Sequence, residues 1–183
     1  VSTNTAVGAS ALATNSTGNY NTALGHTAGY AITTGTENTA LGQGSMSTGA
    51  GVTGSYNASV GTSSLYSLTS GSSNTGIGNI ALSATTSGNY NTAVGRGSLA
   101  NNTTSSNSTA VGYQAGYNTN ASTNSFFGAQ AGYSNTIGST LAAFGYRAAF
   151  SSTTADYVSA FGYQASYSNT TGQYNTSVGS QAL

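Results

Sequence analysis

An apolar residue followed by glycine recurs along the chain at an almost constant step. The glycines are Gly8, Gly25, Gly42, Gly61, Gly78, Gly95, Gly112, Gly128, Gly145, Gly162 and Gly179, preceded by Val, Leu, Ile or Phe. Successive steps are 17, 17, 19, 17, 17, 17, 16, 17, 17 and 17 residues. A unit copied end to end at such a period is the signature of a repeat array, in which each copy buries its apolar face against the next. Ahead of each glycine the residues alternate, as in Thr92-Ala93-Val94. This predicts a short strand with Thr92 and Val94 on one face and Ala93 on the other. No apolar stripe of helical period persists, and β-branched residues and glycine dominate, so helix is not expected.

Further columns follow from the same phase. Three residues past each anchor glycine stands Ala or Ser, from Ala11 and Ala28 to Ala165 and Ala182. Such an unbroken small column marks a close approach, either by the coil above or by a neighbouring chain. Ten past the anchor lies a second glycine column (Gly18, Gly35, Gly71, Gly88, Gly138, Gly172), with Gly54 joining it across the two extra residues of the third repeat and with Ser105, Ser122 and Ala155 as departures. Two glycine turns and two short strands per unit predict one coil of a parallel β-solenoid. The expected fold is all-β: about eleven 17-residue coils forming a single domain over 1–183. With one coil per ~4.8 Å the rod is roughly 50 Å long.

The Thr column and the Val/Leu/Ile/Phe column are placed inward or at a subunit contact. The opposite column (Ala6, Ala23, Ala40, Ala93, Ala110, Ala143, Ala160) is then free to pack against another chain. Phe127, Phe144 and Phe161 replace the aliphatics toward the C-terminus, which predicts a wider or more tightly associated end. A narrow coil buries few apolar side chains, so lateral association is the expected remedy. Tyrosines also fall into columns: five past an anchor (Tyr30, Tyr66, Tyr117, Tyr133, Tyr167, with Phe150), five before one (Tyr20, Tyr56, Tyr90, Tyr157, Tyr174), and directly after one (Tyr113, Tyr146, Tyr163). Stacked ladders are the expectation, with glycan binding through ring stacking as the alternative use.

Composition sharpens this picture. Two basic and two acidic residues among 183 give a net charge of zero, against about a quarter charged residues in an average soluble domain. Steering toward nucleic acid is therefore not expected. Cysteine is absent, so neither disulfides nor thiolate metal sites are available, and no run of about 18 apolar residues suggests membrane insertion. The alternative of a disordered Gly/Ser/Thr/Asn linker conflicts with the strict phase and with 13 Tyr and 5 Phe.

Candidate chemistry is sparse. His26 is the lone imidazole, without an acid or Cys placed for a triad or metal cage, and reads as a surface residue; the alternative is that in a trimer its three copies meet near the axis and hold an ion. Glu37 and Asp156 lie seven repeats apart and do not form an acid–base pair. Arg96 and Arg147 read as rim residues that oppose edge pairing or bridge chains. Asn-x-Ser/Thr sequons occur at Asn15, Asn57, Asn101, Asn102, Asn107, Asn120, Asn169 and Asn175, a number that an Asn/Ser/Thr-rich chain produces by chance. No enzyme activity, cofactor, metal or catalytic residue is expected.

Asn107-Ser108-Thr109-Ala110-Val111-Gly112-Tyr113-Gln114-Ala115, and more loosely Asn21-Thr22-Ala23-Leu24-Gly25, resemble the head repeats of YadA-like trimeric autotransporter adhesins (consensus Asn-Ser-Val-Ala-Ile-Gly-x-x-Ser/Ala). The resemblance extends over all eleven units and is shared with arrays in bacteriophage tail fibres. It implies a left-handed parallel β-roll, three chains side by side, and an adhesive or spacer role at a cell surface or virion. Here the unit is longer, and Thr replaces the first core Val. The stalk and anchor of an autotransporter have no counterpart in the repeats. The expected function is a structural extracellular fibre or adhesin module that self-associates as a trimer or filament. Its conceivable partner is a host-surface glycan or protein. The alternatives are a carbohydrate-binding phage tail-fibre segment and an ice-binding solenoid. Ice-binding surfaces usually need two exposed Thr per coil with one residue between; here the partner of Thr92 is Val94, apolar and expected to be buried, and both facts count against it.

Overall fold

A computed structural model of the chain describes residues 3–48 and 51–183. Eleven three-residue strands, from β1 (Thr5–Val7) through β6 (Thr92–Val94) to β11 (Thr176–Val178), form one parallel sheet in sequence order. Pairing is in register, with Thr75 opposite Thr92, Gly76 opposite Ala93 and Ile77 opposite Val94. Each strand is one rung of a β-solenoid. Away from the strands, backbone bonds continue from coil to coil, as in Leu82 N–H to the Ser98 carbonyl and Thr86 N–H to Thr103. Proline is absent, so every residue retains a donor for these ladders.

The anchor glycines turn the chain as expected, at φ values of +117° to +140°. A Cβ there would also strike the next coil, since one on Gly95 would lie 2.4 Å from the Gly112 carbonyl oxygen. The second glycine column has a different cause. None of its members has φ in the left-handed region; what requires glycine is contact, a Cβ on Gly71 falling 2.4 Å from the Gly88 carbonyl oxygen. The turn sits two residues later, where non-glycine residues take the left-handed conformation: Tyr56 at φ 61°, Ser73 at 58°, Tyr90 at 57°. Ala121, not Ser122, stands in this column. Thr103 pairs with Asn120 seventeen residues on, but Ser106 pairs with Ser122 sixteen on. The one-residue shortening therefore falls between Asn120 and Ala121.

Of the two placements expected for the Thr and apolar columns, inward or at a subunit contact, the inward one does not hold. The middle residues Ala23, Ala40, Ser59, Ala93, Ala110, Phe126, Ala143 and Ala160 are fully buried in their own coil. The Thr and Val/Leu/Ile/Phe columns face outward, with Val7 56%, Ile77 41% and Phe161 41% exposed. The reason is the width of the coil. Leu65, Leu82 and Leu99, four residues past their anchors, fill the interior together with the buried Ala/Ser column three past. Only a small side chain fits opposite them. The Ala column is therefore not a chain–chain contact, and the outward Phe residues do not widen the core.

Phe126 shows the volume rule from the other side. It is the largest fully buried side chain, and the facing positions of the coils beside it are Gly116 and Gly132 instead of Leu. A Cβ on Gly132 would lie 2.2 Å from the Phe126 ring, and one on Gly116 2.6 Å. We predict that Gly132→Ala, whose site also has φ +61°, lowers stability by about 2–4 kcal/mol. The pair Gly132→Leu with Phe126→Ala reproduces the combination found at Ala93 and Leu99 and recovers most of that loss. Thermal melts of the two single variants and the double variant form the cycle that checks it.

Candidate interaction surfaces

A spine of asparagines fixes the corner ahead of each strand. Asn21, Asn38, Asn57, Asn74 and Asn91 are buried four residues before an anchor glycine. Each Oδ1 accepts the backbone N–H one coil on: Asn38 N–H to Asn21, Asn57 to Asn38, Asn74 to Asn57, Asn91 to Asn74. Each Nδ2 donates to the carbonyl at the second glycine column of the following coil, Asn74 to Gly88 at 2.8 Å and Asn91 to Ser105 at 2.8 Å. Ser108 substitutes with its hydroxyl, Asn124 resumes, and Leu141 and Val158 end the run. Buried amides that are satisfied at both ends rigidify a fold. The amino-acid order places Asn in the repeat without giving it a role; its return four before most of the anchors is the available signal.

A second side-chain ladder runs two residues earlier, in the opposite sense. Ser55 N–H donates to Ser72 Oγ, Ser72 N–H to Asn89 Oδ1, and Ser139 N–H to Asp156 Oδ1 at 2.7 Å. Asp156 is thus a rung of a structural ladder. Glu37 stands exposed seven rungs away, and the two are not brought together. His26 is exposed, and no group of three His, Cys, Asp or Glu residues suited to a metal ion occurs among the described residues. Both arginines lie against their own chain. Arg96 reaches Asn79 and the Tyr113 hydroxyl at 3.4 Å each. Arg147 donates to Gln130 at 2.8 Å, its guanidinium 5.1 and 5.2 Å from the Tyr146 and Phe150 rings. Of the sequons, Asn57 and Asn102 are buried and hydrogen-bonded, which closes them to modification in the folded chain, whereas Asn101, Asn107 and Asn120 are exposed.

What remains on the outside are long columns. The sheet face carries two, one of mostly Thr and one of Val, Leu, Ile and Phe, running the length of the rod. Toward the C-terminus its apolar column becomes a ring stack, Phe127–Phe144–Phe161, with centroids 4.8 and 5.1 Å apart. A parallel ladder, Tyr117–Tyr133–Phe150–Tyr167, has spacings of 5.2 to 5.4 Å. The expected stacking is therefore present in part: the column before the anchors stacks at Tyr157–Tyr174 and the one directly after them at Tyr146–Tyr163. Where rings stack, their faces are occupied by the rings of adjacent coils, which disfavours glycan stacking there. Open clefts among the described residues include one lined by Gln164, Tyr167, Ser168, Gln181 and Leu183 and one lined by Tyr20 and Glu37. Among these residues no helix is long and apolar enough to cross a membrane. No family model, curated protein or solved structure matches the chain.

Proposed function

We propose that the chain is a structural, extracellular fibre module: a rod that self-associates laterally and serves as a spacer or surface-attachment element. The observation that supports this reading is the exposed apolar column on the sheet face. A stripe of Val, Leu, Ile and Phe that continues over eleven rungs is unusual on a free monomer and is characteristic of an interaction surface. Paired rods would bury it as facing sheets pack, about 10 Å apart. Near-zero charge removes the repulsion that keeps soluble proteins apart. Lateral packing of three rods is also what the adhesin-like repeat implies.

Lysine on the sheet face tests the proposal. Ile77→Lys with Val94→Lys places two charges on central rungs without touching the coil interior. The wild type is expected to sediment as an oligomer and the variant as a smaller species that keeps its β-sheet circular dichroism, melting lower only by what association contributes. A monomeric wild type refutes self-association. A second reading gains from the same observation. Thr92 and Val94 both face outward, as do their counterparts along the rod, so the burial that counted against ice binding does not hold, although the partner of each Thr is Val, Leu, Ile or Phe and not a second Thr. Thermal hysteresis at micromolar protein, abolished by the same two lysines, would favour it over the fibre reading.

A further inference from the structure

We infer that the tyrosine ridge five residues before the anchors is a self-complementary zipper, whose occupant is the same ridge of a second, antiparallel copy of this chain. This deepens the self-association reading and rests on it, but uses a different face. Numbering rungs from β1, tyrosine fills alternate rungs two, four and six, with Tyr20, Tyr56 and Tyr90; Glu37, Ser73 and Asn107 occupy rungs three, five and seven. All six share one backbone conformation, φ between 56° and 61°. The three rings are 65%, 60% and 66% exposed, and the cleft beside Tyr20 opens above Glu37.

The same column shows what a filled rung looks like. Tyr157 and Tyr174 occupy consecutive rungs and stack with centroids 4.9 Å apart and planes 3° from parallel. Rings two coils apart are separated by about twice the ~4.8 Å strand spacing, which leaves a vacant stacking position midway. A ring supplied from outside would contact both neighbours at the distance seen within the chain. An antiparallel copy, related by a two-fold axis between rungs four and five, supplies three such rings. Its Tyr90 enters above Glu37, its Tyr56 above Ser73 and its Tyr20 above Asn107. The result is one continuous stack of six rings alternating between copies, an isologous contact of the kind two-fold dimers use. A parallel copy displaced by one rung is excluded, because its Tyr157 would claim the rung already held by Tyr174. Six rings and the floors they cover bury about 600–1,000 Å², the small end of specific interfaces, so this contact is weak and reversible.

The test is sedimentation velocity over a concentration series in the Ile77→Lys/Val94→Lys background, where the sheet face is silenced. Glu37→Tyr with Ser73→Tyr fills two vacant rungs from within the chain, at positions whose backbone already matches that of the tyrosines. The zipper predicts a dimer for the parent and, for the filled variant, dimerisation weakened by roughly tenfold or more with unchanged melting. Thr140→Tyr, which fills rung nine outside the overlap, leaves dimerisation as it was. Undiminished or stronger association of the filled variant, as general stickiness of an added ring would give, overturns the inference, and so does a monomeric parent. The sheet face is judged separately, by comparing wild type with the lysine variant, so either reading can fail while the other stands.

Discussion

Gly95→Ala is expected to unfold the middle of the rod, with a loss of about 4 kcal/mol or more and a fall in Tm on the order of 10 °C. Two costs combine at this site. Gly95 has φ +132°, a region that L side chains avoid. The added Cβ would also stand 2.4 Å from the carbonyl oxygen and 2.7 Å from the carbonyl carbon of Gly112. Relief by movement is blocked, because both glycines are tied into the coil-to-coil ladder. Gly95 N–H donates to Ile77 at 2.7 Å and Gly112 N–H to Val94 at 2.8 Å. A one-rung shift would have to propagate along a column of the same contacts. Gly179 provides the control: its φ is +124°, but nothing lies within 4 Å of the place its Cβ would take. Gly179→Ala should therefore incur only the conformational cost, about 1–2 kcal/mol. Circular dichroism melts of both variants check the difference, and equal losses would show that strain alone, not coil contact, dictates glycine.

Asn74→Ala should cost about 3–5 kcal/mol. Asn74 is fully buried. Its Oδ1 accepts the Asn91 N–H at 3.0 Å and the Asn91 side-chain amide at 3.1 Å, and its Nδ2 donates to Gly88 at 2.8 Å. Truncation leaves a buried N–H and a buried carbonyl without these partners and opens a cavity between coils. The loss interrupts a chain of amides in which each member positions the next, so it should exceed that of an isolated hydrogen bond. Asn74→Leu fills the space and should be the milder change, since the same column carries Leu141 and Val158 in buried positions. Urea titration of the two variants separates the lost hydrogen bonds from the lost volume.

These two predictions also mark what was legible in the amino-acid order. The period, one strand per coil, the anchor turns and the ring stacks of the C-terminal coils follow from phase alone, because a repeat forces equivalent residues into columns; the second strand expected in each unit does not form among the described residues. The facing of the strand does not. Thr92-Ala93-Val94 alternates in either orientation, and hydrophobicity argues for Val94 inside. The deciding fact is the volume of the interior, which depends on Leu82 and Leu99 arriving from the other side of the coil. That information was present as pairing between distant columns, most visibly where Phe126 coincides with Gly116 and Gly132. The Asn spine was hidden for a related reason. Asn74 reads as a surface residue until the carbonyl of Gly88 is known to stand beside it. The misplacement of Ser122 shows the limit of counting forward from an anchor through a shortened repeat.

The proposed function rests on the outward strand columns. With the aliphatics of its strands inside, the rod would be smooth and polar; instead it displays them along one face, beside threonine, and carries a gapped tyrosine ridge at the neighbouring corner. The central claim is the in-register stacking that builds these columns, and pulsed-EPR distances between spin labels on the outward Thr column test it most directly. The chain has no native cysteine, so pairs can be placed freely, diluted with unlabelled protein. Labels at Thr5 and Thr109 span six rungs and should lie ~29 Å apart, and labels at Thr5 and Thr176 span ten rungs and should lie ~48 Å apart, each as a narrow distribution. Broad distributions, or a longer pair that fails to extend in proportion to its rungs, would contradict the stacked-coil account.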